Sequence, residues 1–206
     1  MAVDAPDRAP TRRFSAAEVE RMVEVGILGE DERVELIDGE LRLVSPQGWE
    51  HQRTILNLTR LLGAAYGERF GMRVQMTVAG LPDSLPEPDV AVGLADGPWD
   101  DERRWPRADE LLLLIEVAVT SHRLERHKAG LYANAGAPVY WLVDVPARRV
   151  IVHTGPTPDG TWRDVREIPE GGVLDLPTLD ASVRVSEVLP PQEAATSPEG
   201  PAARRS

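Results

Sequence analysis

The chain has 206 residues, 42% hydrophobic and 28% charged, with a formal net charge of −11 from 23 basic and 34 acidic side chains. That length is about one domain's worth and buries a core without staples, while the acidic balance excludes an all-over basic nucleic-acid coat. The absence of cysteine excludes disulfide scaffolds, zinc–thiolate sites, iron–sulfur clusters and cysteine nucleophiles, and no apolar run approaches the ~20 residues of a membrane span.

The opening MAVDAPDRAPTRR lacks the apolar stretch of a signal peptide, so a cytoplasmic location is the default expectation. Residues 1–12 and 190–206, rich in Pro, Ala, Ser and charge, are expected to be disordered arms, leaving 13–189 as one domain. Ser15 and Glu18 form a capping box, with Phe14 and Val19 as its hydrophobic staple, and Gly26 ends the helix they start. RVELIDGELRLVS follows, a hairpin turning at Asp38-Gly39. In that register Val34 faces Leu43 and Leu36 faces Leu41 on an apolar face, and Glu35 faces Arg42 on the other. A helical period runs from His51 through Ile55, Leu58, Leu62 and Ala65 to Gly67.

RVQMTVAG, DVAVGL and LLLLIEVAV (residues 73–80, 89–94 and 111–119) are expected strands, the last covered on both faces. A short helix over roughly 123–135 ends at Gly136, VYWLVDV pairs with RVIVHT through Pro146-Ala147, and the remainder forms short strands. The order describes an α/β (α+β) domain: a mixed central β-sheet flanked by helices, preceded by an N-terminal helix and β-hairpin.

Of the 23 basic residues only Lys128 is lysine. A GC-rich genome explains why lysines are scarce but not why one remains, and an ammonium offers a compact, tunable charge that arginine does not. Glu116 interrupts LLLLIEVAV with apolar neighbours on both sides. A carboxylate there must be neutralised, paired or bound to a metal. The plain alternative is a buried ion pair or a strand end reaching solvent. Asp89 follows Pro88 at the start of DVAVGL, where an Asp by itself reads as a turn residue. Carboxylates on neighbouring strands can instead converge on one ion, and such oxygen ligands suit Mg2+ or Mn2+. Lys128 falls about a turn into the following helix, whose side chains lean back toward the strand end carrying Glu116.

These segments (EPDVAV, LLLLIEVAVTS and LERHKAGLYANAGAPVYWLVD, together with ERVELIDGELRLVSPQGWEHQRTILNLTRLL) resemble the PD-(D/E)XK nuclease superfamily. More narrowly they resemble its Uma-two group of restriction-endonuclease-like proteins, over residues 14–189. Position 118, where the superfamily pattern has lysine, is Ala118; in this group the following helix supplies the lysine, which places it at Lys128. The resemblance implies a restriction-endonuclease-like fold and metal-dependent phosphodiester cleavage, with Asp89 and Glu116 as metal ligands and Lys128 beside them. It also gives Glu35 as a second-rank metal ligand, against its plainer reading as a surface partner of Arg42. His51 is a second-rank contact to phosphate or a metal-bound water, against a capping or packing role.

Arg103, Arg104, Arg107, Arg123 and Arg126 form a candidate arginine patch or an ordinary solvated face. Tyr132, Tyr140 and Trp141 have the period of core residues. No phosphate loop, dinucleotide fingerprint or nucleophile elbow is present. The expected activity is a metal-dependent DNA endonuclease. Its rivals are a non-catalytic module on the same fold and an RNA-processing or nucleotide-hydrolysing enzyme. Many enzymes that cut both strands are dimers, which makes a homodimer the assembly to test.

Overall fold

In a computed structural model of the chain, residues 11–29, 32–44, 47–97, 104–120 and 123–192 are described. The expected arms at 1–12 and 190–206 therefore lie almost wholly outside the described residues, as does Arg103. Helix α1 (Ala16–Glu24) begins at the Ser15–Glu18 capping box, with both reciprocal hydrogen bonds in place. Phe14 packs in the same small cluster as Val19. Strands β1 (Val34–Ile37) and β2 (Glu40–Leu43) pair in the expected register, Val34 opposite Leu43 and Glu35 opposite Arg42. Asp38 and Gly39 both take positive φ, 49° and 77°, as a two-residue turn matched to strand twist requires.

The hairpin's burial departs from simple alternation. Leu36 is buried against Val19 and Leu85, yet Leu43 is 84% exposed, and Glu35 and Ile37 on the opposite face are buried. The 81–85 loop docks beside the turn through Leu85 N–H to Leu36 O and Asp38 N–H to Ser84 Oγ, and the Glu87 N–H and Lys128 reach Glu35 on the other face. A two-stranded ribbon takes its inner faces from what is laid across it.

Helix α2 (Trp49–Tyr66) buries Leu58, Leu62 and Tyr66 on one face of a six-stranded sheet. The sheet comprises β3 (Phe70–Val74), β4 (Val90–Leu94), β5 (Leu113–Ala118), β6 (Val139–Asp144), β7 (Arg149–Pro156) and β8 (Trp162–Pro169), in that spatial order. All pairs are antiparallel except β5–β6, which is parallel and joined through helix α3 (Arg123–Asn134), because a parallel pair needs a crossover. Strand β3 replaces the expected strand at 73–80: it starts earlier and ends at Val74, since Gln75 takes φ 51° and leaves the pleated conformation. The β6–β7 turn is longer than Pro146-Ala147, with Arg148 at φ 51°.

Strands β9 (Val173–Asp175) and β10 (Ser182–Arg184) and the short helix α4 (Val185–Val188) close the α2 side. Asn57 of α2 donates to the carbonyls of Val188 and Leu189 there. Along β5, Leu113, Ile115 and Val117 face α2, while Leu114 and Ala118 face α3 with Tyr132, Tyr140 and Leu142. Every residue of β5 is buried. No helix among the described residues is long and apolar enough to cross a membrane.

Candidate active site

Sheet register puts the two acids together. Val90 pairs with Ile115, and continuing that antiparallel register by one residue sets Asp89 across from Glu116. Side chains directly opposite one another start about 5 Å apart at Cβ. Period-two alternation along β5 turns Glu116 toward α3, where Lys128 and Tyr132 stand four residues apart on one helical face. Lys128 Nζ lies 3.0 Å from Glu116 Oε1 and 2.8 Å from Glu35 Oε1. The Tyr132 hydroxyl donates to the same Glu116 Oε1 at 2.9 Å. The Asp89 carboxylate is held through Oδ2, which accepts Val117 N–H at 2.8 Å and lies 3.0 Å from His51 Nε2. Glu35 Oε1 also accepts the Glu87 N–H at 3.1 Å.

Asp89, Glu116, Lys128, Glu35 and His51 therefore line one cleft of about 650 Å³. Glu35 is not the surface partner of Arg42. It is buried and paired with Lys128, and Arg42 pairs with Glu40; the cause is again the covering of the hairpin's second face. His51, in the first turn of α2, sits against Asp89 rather than capping the helix, and its Nδ1 is enclosed without a hydrogen-bond partner. Tyr132 has more than the core role its spacing suggests. The signal for it was its four-residue offset from Lys128. Trp141 and Tyr140 are core residues, the latter donating to Glu125 O.

One pattern recurs in all three acids. Each carboxylate has two groups on one oxygen, while the other, Asp89 Oδ1, Glu116 Oε2 or Glu35 Oε2, makes no hydrogen bond to the described residues and is not enclosed. Among the described residues no group of three or more acids and histidines is disposed as a ready-made metal cage. The donor set fits instead a hard divalent ion held by two carboxylates and completed by water, the usual manner of magnesium.

The electrostatics follow from burial. Lys128 and Glu116 are each 4% exposed. Burial works against the Lys128 charge, but the Glu116 and Glu35 carboxylates more than offset it and hold the ammonium's pKa above its ordinary value. One ammonium cannot balance all the acids. Burial above all, then the Asp89 and Glu35 charges against the opposing pull of Lys128, push Glu116 up to about 8. Burial and Glu35 likewise raise Glu87.

A raised carboxyl pKa means the folded protein keeps a proton that the unfolded chain releases. The resulting stabilisation is complete below about 4.5 and is lost as pH rises through about 8. In melts of metal-free protein across that window, Glu116→Gln, which stays neutral, is expected to gain stability relative to wild type as pH rises. Parallel curves for the two proteins would remove the buried-acid account.

The candidate arginine patch divides. Arg104 and Arg107 pair with Glu110 and Asp109 and line a separate, larger groove of about 890 Å³, with Arg73 and Trp105. Arg123 and Arg126 lie exposed at the start of α3, beside the cleft residues Leu124 and Glu125. The larger groove shares Gln75 and Glu87 with the cleft but lacks its buried acid–lysine cluster.

A structure described as a putative nuclease belonging to DUF820, from Anabaena variabilis, superposes with a TM-score of 0.63 at 16% identity, over 80% of this chain and 94% of that one. The likeness establishes a shared fold, which in this chain is the mixed six-stranded sheet with flanking helices. No curated protein is detectably similar in sequence. The sequence pattern of the family described as "Putative restriction endonuclease" matches residues 16–186, a span that runs from α1 to α4 and contains every residue of the cleft; the chain belongs to that family, Uma2.

Proposed function

We propose that this protein is a divalent-metal-dependent endonuclease that hydrolyses phosphodiester bonds in DNA. The observation that carries this reading is the pair of cross-strand carboxylates, Asp89 and Glu116, each with one oxygen fixed and one open, and the chain's sole lysine beside them. Asp89 and Glu116 would hold Mg2+ or Mn2+, which would supply polarisation of the scissile phosphate and a more acidic water. His51 and the Val117 N–H keep Asp89 in place. Lys128 supplies the positive charge beside them, able to orient the attacking water or to stabilise charge developing on the phosphate. Glu35 is its anchor in the metal-free protein. A divalent cation offsetting the acids of this cleft would reconcile an acidic chain with a polyanionic substrate, and a homodimer would supply two such sites for cutting both strands.

The test is cleavage of plasmid DNA, single-stranded DNA and RNA by wild type and Glu116→Gln, with Mn2+, Mg2+ or EDTA. DNA cleavage that needs the metal and Glu116 supports the reading. Cleavage of RNA alone transfers it to an RNA-processing enzyme, and no cleavage of any substrate leaves a non-catalytic module on the nuclease fold.

A further inference from the structure

Two donors from one face of α3 converge on Glu116 Oε1, Lys128 Nζ at 3.0 Å and the Tyr132 hydroxyl at 2.9 Å, and they differ in kind. Lys128 carries its charge on a flexible stem and divides it between Glu116 and Glu35. Tyr132 is fully buried, its ring 5.3 Å from that of Tyr140 among Leu114, Ala129 and Leu142. Glu116 is the one hydrogen-bond partner of its hydroxyl among the described residues. A phenol held so tightly in an apolar setting has no alternative acceptor to turn to, whereas the ammonium also serves Glu35.

We infer that Tyr132 is a positioning residue for Glu116: its hydroxyl holds Oε1, whose other donor Lys128 is divided between Glu116 and Glu35, so that Oε2 stays open to the cleft. The inference rests on the two-carboxylate metal reading above. Groups that hydrogen-bond to a ligating side chain typically contribute 10–100-fold to metal affinity. Removing this hydroxyl lets the carboxylate swing, because the remaining side-chain donor is shared with Glu35.

Calorimetric titration with Mn2+ at 10 °C, without substrate, tests it on wild type, Tyr132→Phe, Tyr140→Phe and Glu116→Gln, each with a thermal melt. Tyr132→Phe is expected to bind Mn2+ about tenfold more weakly at unchanged stoichiometry. Tyr140→Phe also deletes a buried hydroxyl, one that donates to Glu125 O and not to Glu116, and is expected to bind like wild type. Equal weakening in both would mark a general packing effect and overturn the proposal. Wild-type affinity in Tyr132→Phe, with binding lost in Glu116→Gln, overturns it while leaving the metal site intact. Absence of Mn2+ binding by wild type overturns both. Lys128→Met gives a readout independent of whether Tyr132→Phe folds: Tyr132 is then the remaining side-chain donor to Glu116, binding is expected to persist, and its loss overturns the proposal.

Discussion

Lys128→Arg is expected to lower the rate of DNA cleavage about a hundredfold or more while leaving the charge formally unchanged. Arginine is the basic residue this chain uses everywhere else, so on a solvated helix face the exchange costs well under ~0.5 kcal/mol. Lys128 is instead 4% exposed, with its ammonium between two carboxylate oxygens. A guanidinium is larger, planar and directional. Accommodating it displaces the charge by about 1 Å, which is enough to cost on the order of a hundredfold in an oriented reaction. The extra volume in a filled site also costs about 1–3 kcal/mol of stability, a loss of a few degrees in melting temperature. Turnover on DNA measured beside a melt separates the two effects. An arginine variant with wild-type turnover would reduce Lys128 to a buried counter-ion and leave catalysis resting on Asp89 and Glu116.

Manganese is expected to raise the melting temperature of wild type by roughly 5–10 °C at a hundredfold excess over its dissociation constant. Ligand at that excess stabilises by about 2.7 kcal/mol, and a chain of this length gains about 2–4 °C per kcal/mol. The source of the effect is the charge imbalance of the metal-free cleft, where Asp89 and Glu35 oppose ionisation of the buried Glu116; a cation relieves that repulsion and favours the ionised carboxylate. Glu116→Gln is expected to lose most of the rise, and EDTA to reverse it in wild type. An unchanged melting temperature at millimolar manganese, together with cleavage in EDTA, would exclude the metal route.

Local signals carried much of this architecture because their causes are local. Asp38-Gly39 specifies a tight turn wherever it occurs between strands, and the hairpin register followed from it. Ser15 and Glu18 cap α1 through atoms three residues apart. An acid inside LLLLIEVAV and a sole lysine in an arginine-rich chain are anomalies of composition, visible without coordinates, and both fall in the cleft. The strand expected at 73–80 failed for an equally local reason of the opposite kind: nothing in RVQMTVAG announces that Gln75 adopts a left-handed conformation.

The family resemblance, the order of elements and the identity of Asp89, Glu116 and Lys128 as unusual residues are thus legible in the residue pattern. What each acid touches is set by packing between distant segments. Glu35 has Arg42 across the hairpin, yet it accepts the Glu87 N–H and takes Lys128 of helix α3 as its partner. His51 meets Asp89 across a separation of 38 residues, and Tyr132 meets Glu116 from a helix whose apolar period alone marked it as core. Periodicity reports which way a side chain faces. The partner it finds depends on sheet register, on the crossover that lays α3 over β5, and on which segment covers an otherwise open face, and those are settled by the packing of distant parts of the chain.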